Sequence, residues 1–278
     1  MSGVLPADPE AYRAPIAADL RSLGLRRGQD LLIHCSLRRL GPVAGGAATL
    51  LAAIRDVVGP AATLVVPTHT TWNSLTSRTF LAATTGLDAT ARARHIAELP
   101  GFDLASTPSE GMGAFAEHIR TQPGARRSAH PQTSFAALGP RADAAMSRHD
   151  LDCHLGERSP LGWLYDVGAA IALIGVGYPA CTAFHLAEYR LSGELPLRRY
   201  HCFVTSDGER RQYAFTDLDL VDDDFDLIGA ALDDASWPDA ADRPRRGRVA
   251  MADAIWLPMR GAVDFARSWM EQHRRVKT

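Results

Sequence analysis

The chain has 278 residues, of which 46% are apolar, enough for one large α/β unit with a sizeable core. Its net charge of −2 leaves no electrostatic footprint for nucleic acid or for an anionic membrane surface. No apolar stretch reaches the length a bilayer requires, and the first ten residues lack the basic start and apolar centre of a secretory leader, so a cytoplasmic protein is expected. The cysteines (Cys35, Cys153, Cys181, Cys202) form no Cys-x-x-Cys pair, and no His-Glu-x-x-His occurs. Free thiols and no metal are therefore expected.

Tyr12, Ile16, Leu20 and Leu23 recur at helical spacing and predict a helix over residues 9–24. Leu31-Leu32-Ile33 reads as a short buried strand ending at His34-Cys35-Ser36, and residues 47–58 as a helix stopped by Gly59-Pro60. Thr63-Leu-Val-Val66 is the next strand, so strand, crossover helix and strand make a βαβ unit with a parallel pair. Residues 69–108 are polar and poorly periodic, a long excursion with a short helix near 88–95. Thr107-Pro108-Ser109-Glu110 reads as a helix start, with Ser109 a cap and the helix running to Arg120. A strand over Ser134–Gly139, a helix over 140–148 and a strongly buried strand over Ala169–Val176 follow.

Directly after that strand, Cys181-Thr-Ala-Phe-His185-Leu-Ala-Glu188 opens a helix on which His185 and Glu188 share one face. A histidine just past a strand end stands where open α/β sheets place their chemistry; the plain alternative is a packed core histidine with a solvated glutamate. Residues 200–205 and 211–216 flank Ser206-Asp207-Gly208 as a β-hairpin. An acidic segment begins at Asp217, a Pro/Arg-rich linker covers 236–248, and Gly261–His273 is a terminal helix. The fold expected is α/β: a central mixed, partly parallel sheet flanked by helices, with a hairpin-containing C-terminal portion. One domain spans 1–278, and its part at about 195–260 reads equally as a small lobe or an extension of the sheet.

Gly175-x-Gly177 is only a fragment of a dinucleotide fingerprint, and no Walker-type loop is present. Four clusters remain: His34-Cys35-Ser36-Leu37, Ser109-Glu-Gly-Met-Gly113, Arg126-Arg-Ser-Ala-His-Pro131 leading to Ser134-Phe135, and Thr182/His185/Glu188. A helix start bearing Ser and Gly can bind an anion through its unpaired N–H groups, or be an ordinary cap. Paired arginines can fork onto phosphate, or be solvated surface.

Together these clusters resemble the aminoglycoside 3-N-acetyltransferase family over residues 12–272. The resemblance rests on Ile33-His34-Cys35-Ser36-Leu37, Gly59-Pro-Ala-Ala-Thr-Leu-Val-Val-Pro-Thr68, Arg127-Ser-Ala-His-Pro131 with Ser134-Phe-Ala-Ala-x-Gly139, Ser159-Pro-Leu-Gly162, the Thr182/His185/Glu188 group and the closing Gly247–Phe265 segment. Cys35 replaces a usual serine, the second glycine of Gly59–Ala62 is missing, and the Ser109–Gly113 segment is one residue longer than usual.

The resemblance implies acetyl transfer from acetyl-CoA to a ring amine of an aminoglycoside. It implies His185 as base, an orienting carboxylate from Asp217 or Glu188 with Asp217 preferred, Asp219 as a further competitor, and His34 assisting the thioester carbonyl or the acceptor. Coenzyme contacts are expected at Ser36, Leu37, Ser109, Met112, Gly113, Arg127, Ser128 and Ser134, and acceptor contacts at Asp219, Asp222, Asp223 and Asp224. A monomer or a homodimer fits equally. The competing readings are a Cys181-dependent acyltransferase or hydrolase, a metal-dependent hydrolase drawing on His34, His69, His154, His185 and Glu188, a non-catalytic binder, and a relative acting on another amine.

Overall fold

A computed structural model describes residues 8–239 and 243–274. The start read above for a leader, Met1–Ala7, and the middle of the Pro/Arg-rich stretch, 240–242, lie outside the described residues. In chain order the elements are α1 Glu10–Leu23, β1 Leu31–Cys35, α2 Ala47–Val58, β2 Leu64–Pro67, α3 Arg78–Thr84, α4 Ala89–Glu98, α5 Gly113–Arg120, β3 Arg126–Arg127, β4 Phe135–Leu138, α6 Ala142–Met146, α7 Pro160–Asp166, β5 Ala170–Ile174, α8 Ala183–Glu188, β6 Leu197–Ser206, β7 Glu209–Leu218, α9 Phe225–Asp234, β8 Arg245–Val249, β9 Ala252–Pro258 and α10 Met259–His273. Single 3-10 turns cover Leu37–Leu40 and Tyr178–Ala180.

Seven strands form one mixed sheet in the order β3-β4-β2-β1-β5-β9-β8. The centre is parallel, with β1 pairing β2 on one side and β5 on the other, in the registers Leu31↔Leu64 and Leu31↔Ala170. The flanking strands β4 and β9 run antiparallel to that centre. Strands covered on both faces read as continuous apolar runs, and β1 and β5 are buried at every position. Alternation splits their side chains between two cores: Leu32, Ile171 and Leu173 face α6, α7, α8, α9 and α10, whereas Leu31, Ile33, Ala172 and Ile174 face α1, α2 and α5. His34 shares parity with Leu32, so it leaves the end of β1 on the face where α8 packs.

The excursion after β2 holds two helices, α3 capped by Ser77 and α4 capped by Asp88, each cap accepting from a first-turn N–H. It is tied to the hairpin β6–β7 and to the β3–β4 turn: Phe203 donates to the Asn73 carbonyl, Phe102 donates to the Phe203 carbonyl and accepts from the Thr205 amide, and Thr70 donates to the Gln132 carbonyl. Asp207 and Gly208 both take positive φ at the hairpin tip, the geometry of a tight turn that matches strand twist.

Several sequence expectations shift. The helix of the Ser109 region begins only at Gly113, with Met112 at its cap position. Ser109 instead uses its amide and hydroxyl to bind Glu117 Oε2 at 3.0 and 2.9 Å. The acidic segment turns into α9, whose Phe225, Ile228 and Leu232 are buried. The far end of the Pro/Arg-rich stretch is β8, an edge strand held by β9.

Candidate active site

A cavity of about 570 Å³ opens at the carboxyl ends of β1 and β2, where the parallel strands deliver their last residues. His34, His69 and His185 line it together with Ser36, Met112 and Gly113. His185 is on α8, a six-residue helix anchored by Phe184, which is fully buried and packs edge-on to Phe225 at 5.3 Å. The His185 ring rests on Phe225 at 4.8 Å.

His185 Nδ1 donates to Glu188 Oε2 at 2.5 Å. Glu188 is only 5% exposed and its other oxygen is also occupied: Oε1 accepts from the Val221 amide at 3.0 Å and from Arg274 Nη1 at 2.5 Å. A carboxylate held on Nδ1 selects the tautomer with a lone pair on Nε2. Nε2 has no hydrogen-bond partner among the described residues, and the ring lines the cavity. The arrangement can take a proton from a ligand.

Asp217 does not orient His185. Its Oδ2 accepts from His154 Nδ1 at 2.7 Å, from the His154 amide at 2.6 Å and from the Tyr189 hydroxyl at 2.6 Å. Burial acts to raise the Asp217 pKa, but the donors on its carboxylate outweigh it and hold it below the usual range. The reason for the different pairing is placement: Asp217 sits near the end of β7, in register with Arg198 of β6, and meets the loop before α7. His154 Nε2 pairs with Gln132 Oε1 at 3.0 Å, so both its ring nitrogens are engaged although it lines the cavity. The sequence reading gave Gln132 and Tyr189 no part in the site, and His154 one only as a metal ligand of a rival reading, because nothing local marks residues 22 and 63 positions apart as one network.

His34 is buried and carries Nε2 3.3 Å from the Thr182 hydroxyl. Burial pushes its pKa down to about 4, so at neutral pH it is an uncharged imidazole. His69 is pushed well below the usual histidine value, by burial first and then by the neighbouring histidines, and its Nε2 is enclosed without a partner.

Of the residues expected to meet the coenzyme, Ser36, Met112 and Gly113 line the cavity. Gly113 takes φ +84°, and a Cβ there would come within 3.0 Å of the Cys35 carbonyl, so the helix start presses against the strand end only because the residue is glycine. Gly111, at φ +70°, has open space where a Cβ would be. Bare backbone and the first-turn N–H groups of an eight-residue helix form a cradle that suits a phosphate-bearing chain. Leu37, Ser109, Arg127, Ser128 and Ser134 are not on the cavity wall. Ser128 and Ser134 have no exposed surface; Ser128 Oγ is 2.9 Å from His149 Nδ1 and Ser134 Oγ donates to the Thr68 carbonyl at 2.8 Å. Arg127 donates to Ser134 Oγ and to the Thr68 carbonyl, and burial lowers its pKa to about 10. These side chains lock the β3–β4 turn to the excursion.

The acidic run divides. Asp222 alone lines the cavity and pairs with Arg78 at 2.7 Å, with the exposed Asp223 3.8 Å from the same guanidinium. Asp224 binds Arg274 at 2.5 Å, and Asp219 faces a separate groove, 3.5 Å from Arg198. Cys181 has no exposed surface, and burial pushes its thiol up to about 12, which removes the thiolate that the rival reading requires. No group of three or more His, Cys, Asp or Glu side chains able to hold a metal occurs among the described residues.

An imidazole with a free nitrogen and a glycine-bearing helix start share one cavity at the strand ends of an α/β sheet. The chain belongs to the aminoglycoside 3-N-acetyltransferase family, which residues 32–271 match. It is 34% identical over 277 residues to aminoglycoside N(3)-acetyltransferase VII of Streptomyces paromomycinus, covering 96% of this chain and 93% of that one. Among solved structures it superposes on the YokD protein of Bacillus subtilis with a TM-score of 0.84 and 29% identity, covering 95% of this chain and 96% of the other. It also superposes on AAC-IIIb in its binary complex with CoASH, with a TM-score of 0.78 and 25% identity, covering 96% and 98%. Acetyl-CoA is the co-substrate of this family.

Proposed function

We propose that this enzyme acetylates the 3-amino group of the 2-deoxystreptamine ring of an aminoglycoside, conferring resistance, and that His185 is the general base. The observation that carries this reading is the His185–Glu188 pair at 2.5 Å, with the remaining ring nitrogen on the cavity that Ser36, Met112 and Gly113 also line.

An ammonium has no lone pair, so the acceptor must give up a proton before it can attack. His185 Nε2 takes that proton, and Glu188 stabilises the imidazolium through Nδ1. The amine nitrogen then bonds to the acetyl carbon and the carbon–sulfur bond of acetyl-CoA breaks; the departing thiolate takes the proton from His185, and the second proton that the nitrogen sheds as the amide forms leaves through the freed imidazole to solvent. Charge developing on the carbonyl oxygen calls for a preorganised donor. The neutral His34, on the wall beside His185, is the side chain available for that role. Asp222 supplies negative charge at the rim for a polycation.

The test is His185→Ala and Glu188→Gln, assayed by thiol release with a panel of aminoglycosides and by NMR of the product to locate the new amide. Turnover should fall at least ~100-fold in His185→Ala and substantially in Glu188→Gln. Near-native turnover in His185→Ala removes it as base; acetylation at a different nitrogen overturns the regiochemistry.

A further inference from the structure

We propose that Arg274 is a positioning residue for this pair: it fixes Glu188 so that one oxygen is left for His185, and by sharing the carboxylate's charge it keeps the imidazole available as the free base. The inference rests on the reading of His185 as base, and concerns a residue beyond the 32–271 span that matches the family.

The guanidinium is a hub between three parts of the chain. Nη1 donates to Glu188 Oε1 at 2.5 Å, Nε and Nη2 grip the two oxygens of Asp224 at 2.7 and 2.5 Å, and Nη2 also reaches the Val221 carbonyl at 2.9 Å. The side chain is 18% exposed, so the contact is shielded from solvent screening. It thus binds the end of α10 to the segment before α9 and to α8. Val221 is bonded on both sides, its amide donating to Glu188 and its carbonyl accepting from Arg274, which closes a small ring of bonds around the carboxylate.

The charge count gives the consequence. Glu188 and Asp224 bring two negative charges and Arg274 one positive. With Arg274 in place, the carboxylate facing His185 is already partly compensated. Without it, a buried Glu188 has only the His185 imidazolium as cationic partner, and protonation of the ring is favoured. The other groups facing His185 do not substitute: Phe225 of α9 is apolar, His34 and His69 are held neutral by burial, His154 is committed to Asp217 and Gln132, and Asp222 is acidic and paired with Arg78. Asp224 is the counterweight, since it draws the guanidinium away from Glu188.

The experiment is a titration of the histidine rings by NMR in the full chain, with the His185 signal assigned by its loss in His185→Asn. It is compared with the acid limb of kcat/KM for one aminoglycoside. In Arg274→Met the His185 midpoint should rise by about one pH unit, in Arg274→Lys by less, and in Asp224→Asn it should fall. No movement in Arg274→Met, or movement in the same direction in Asp224→Asn, overturns the inference. A uniform loss of activity at every pH with an unmoved midpoint means that Arg274 is structural only, and also overturns it. Should Arg274→Met fail to fold, the opposite signs expected of Arg274→Lys and Asp224→Asn decide. If the NMR midpoint moves while the kinetic limb stays put, the positioning holds and the base reading fails.

Discussion

Glu188 reaches back across one helical turn to set its Oε2 2.5 Å from Nδ1 of His185, while its other oxygen holds the Val221 amide at 3.0 Å. Helical side chains lean toward the N-terminus, so a long carboxylate three residues on can cover the ring before it. Because α8 ends at Glu188, that side chain also meets Val221 in the segment between β7 and α9. His185 and Glu188 therefore share one six-residue helix, whose stability and charge environment set the following expectations.

Phe184 is the anchor of that piece, fully buried between Tyr178, stacked at 6.0 Å, and Phe225. Phe184→Ala should lower unfolding free energy by about 3–5 kcal/mol, as measured by urea titration, and should reduce turnover along with it. A loss under about 1 kcal/mol would mean the site collapses to fill the cavity and that α8 does not depend on this contact.

Stability should fall at acid pH through the paired carboxylates. Asp217 has its folded pKa held below the usual range, so the stability it contributes is complete above its unfolded value of about 3.9 and is lost as pH falls through the folded one. Glu117 behaves alike: burial opposes ionisation, but Arg120 and Ser109 win and take it down to about 2. Thermal midpoints should therefore drop between about pH 4 and about 2. Asp217→Asn should be less stable at neutral pH and show a flatter acid limb; an unchanged limb would assign the loss to other groups.

Arg78 is 75% exposed and pairs with Asp222 at the cavity rim, an ion pair of small intrinsic worth. A cationic acceptor competes with it for the same carboxylate. Arg78→Ala should lower the aminoglycoside KM by up to about 5-fold with kcat unchanged, and added salt should raise KM in both proteins. Asp222→Asn should raise KM instead. Equal KM values across the three proteins would remove Asp222 from acceptor recognition.

The parallel centre of the sheet was legible because its strands are continuous apolar runs, and α1, α2 and the Asp-Gly hairpin because their periods and turn residues are local signals. His185 with Glu188 was legible as a spacing, though which carboxylate holds the ring was not: a choice between Asp217 and Glu188 depends on where β7 ends relative to α8, a tertiary fact. The short helix read near 88–95 falls on α4, whereas α3 was not read, because seven residues with only Phe80 and Thr84 buried leave little apolar pattern. β8 has Arg-Arg-Gly-Arg in four of its five positions, as an edge strand can, and so looked like linker. Arg127, Ser128 and Ser134 misled because residue types that suit phosphate also suit buried backbone carbonyls, and here the carbonyls claim Arg127 and Ser134 while His149 claims Ser128.

The main-chain bonds that join the excursion to β6, at Asn73–Phe203 and at Phe102 with its two neighbours, have no counterpart in the seven-stranded sheet. Of these joined segments His69 and Tyr200 line the cavity. A substitution at Tyr200 therefore changes the cavity wall without breaking a rung between β1 and β5.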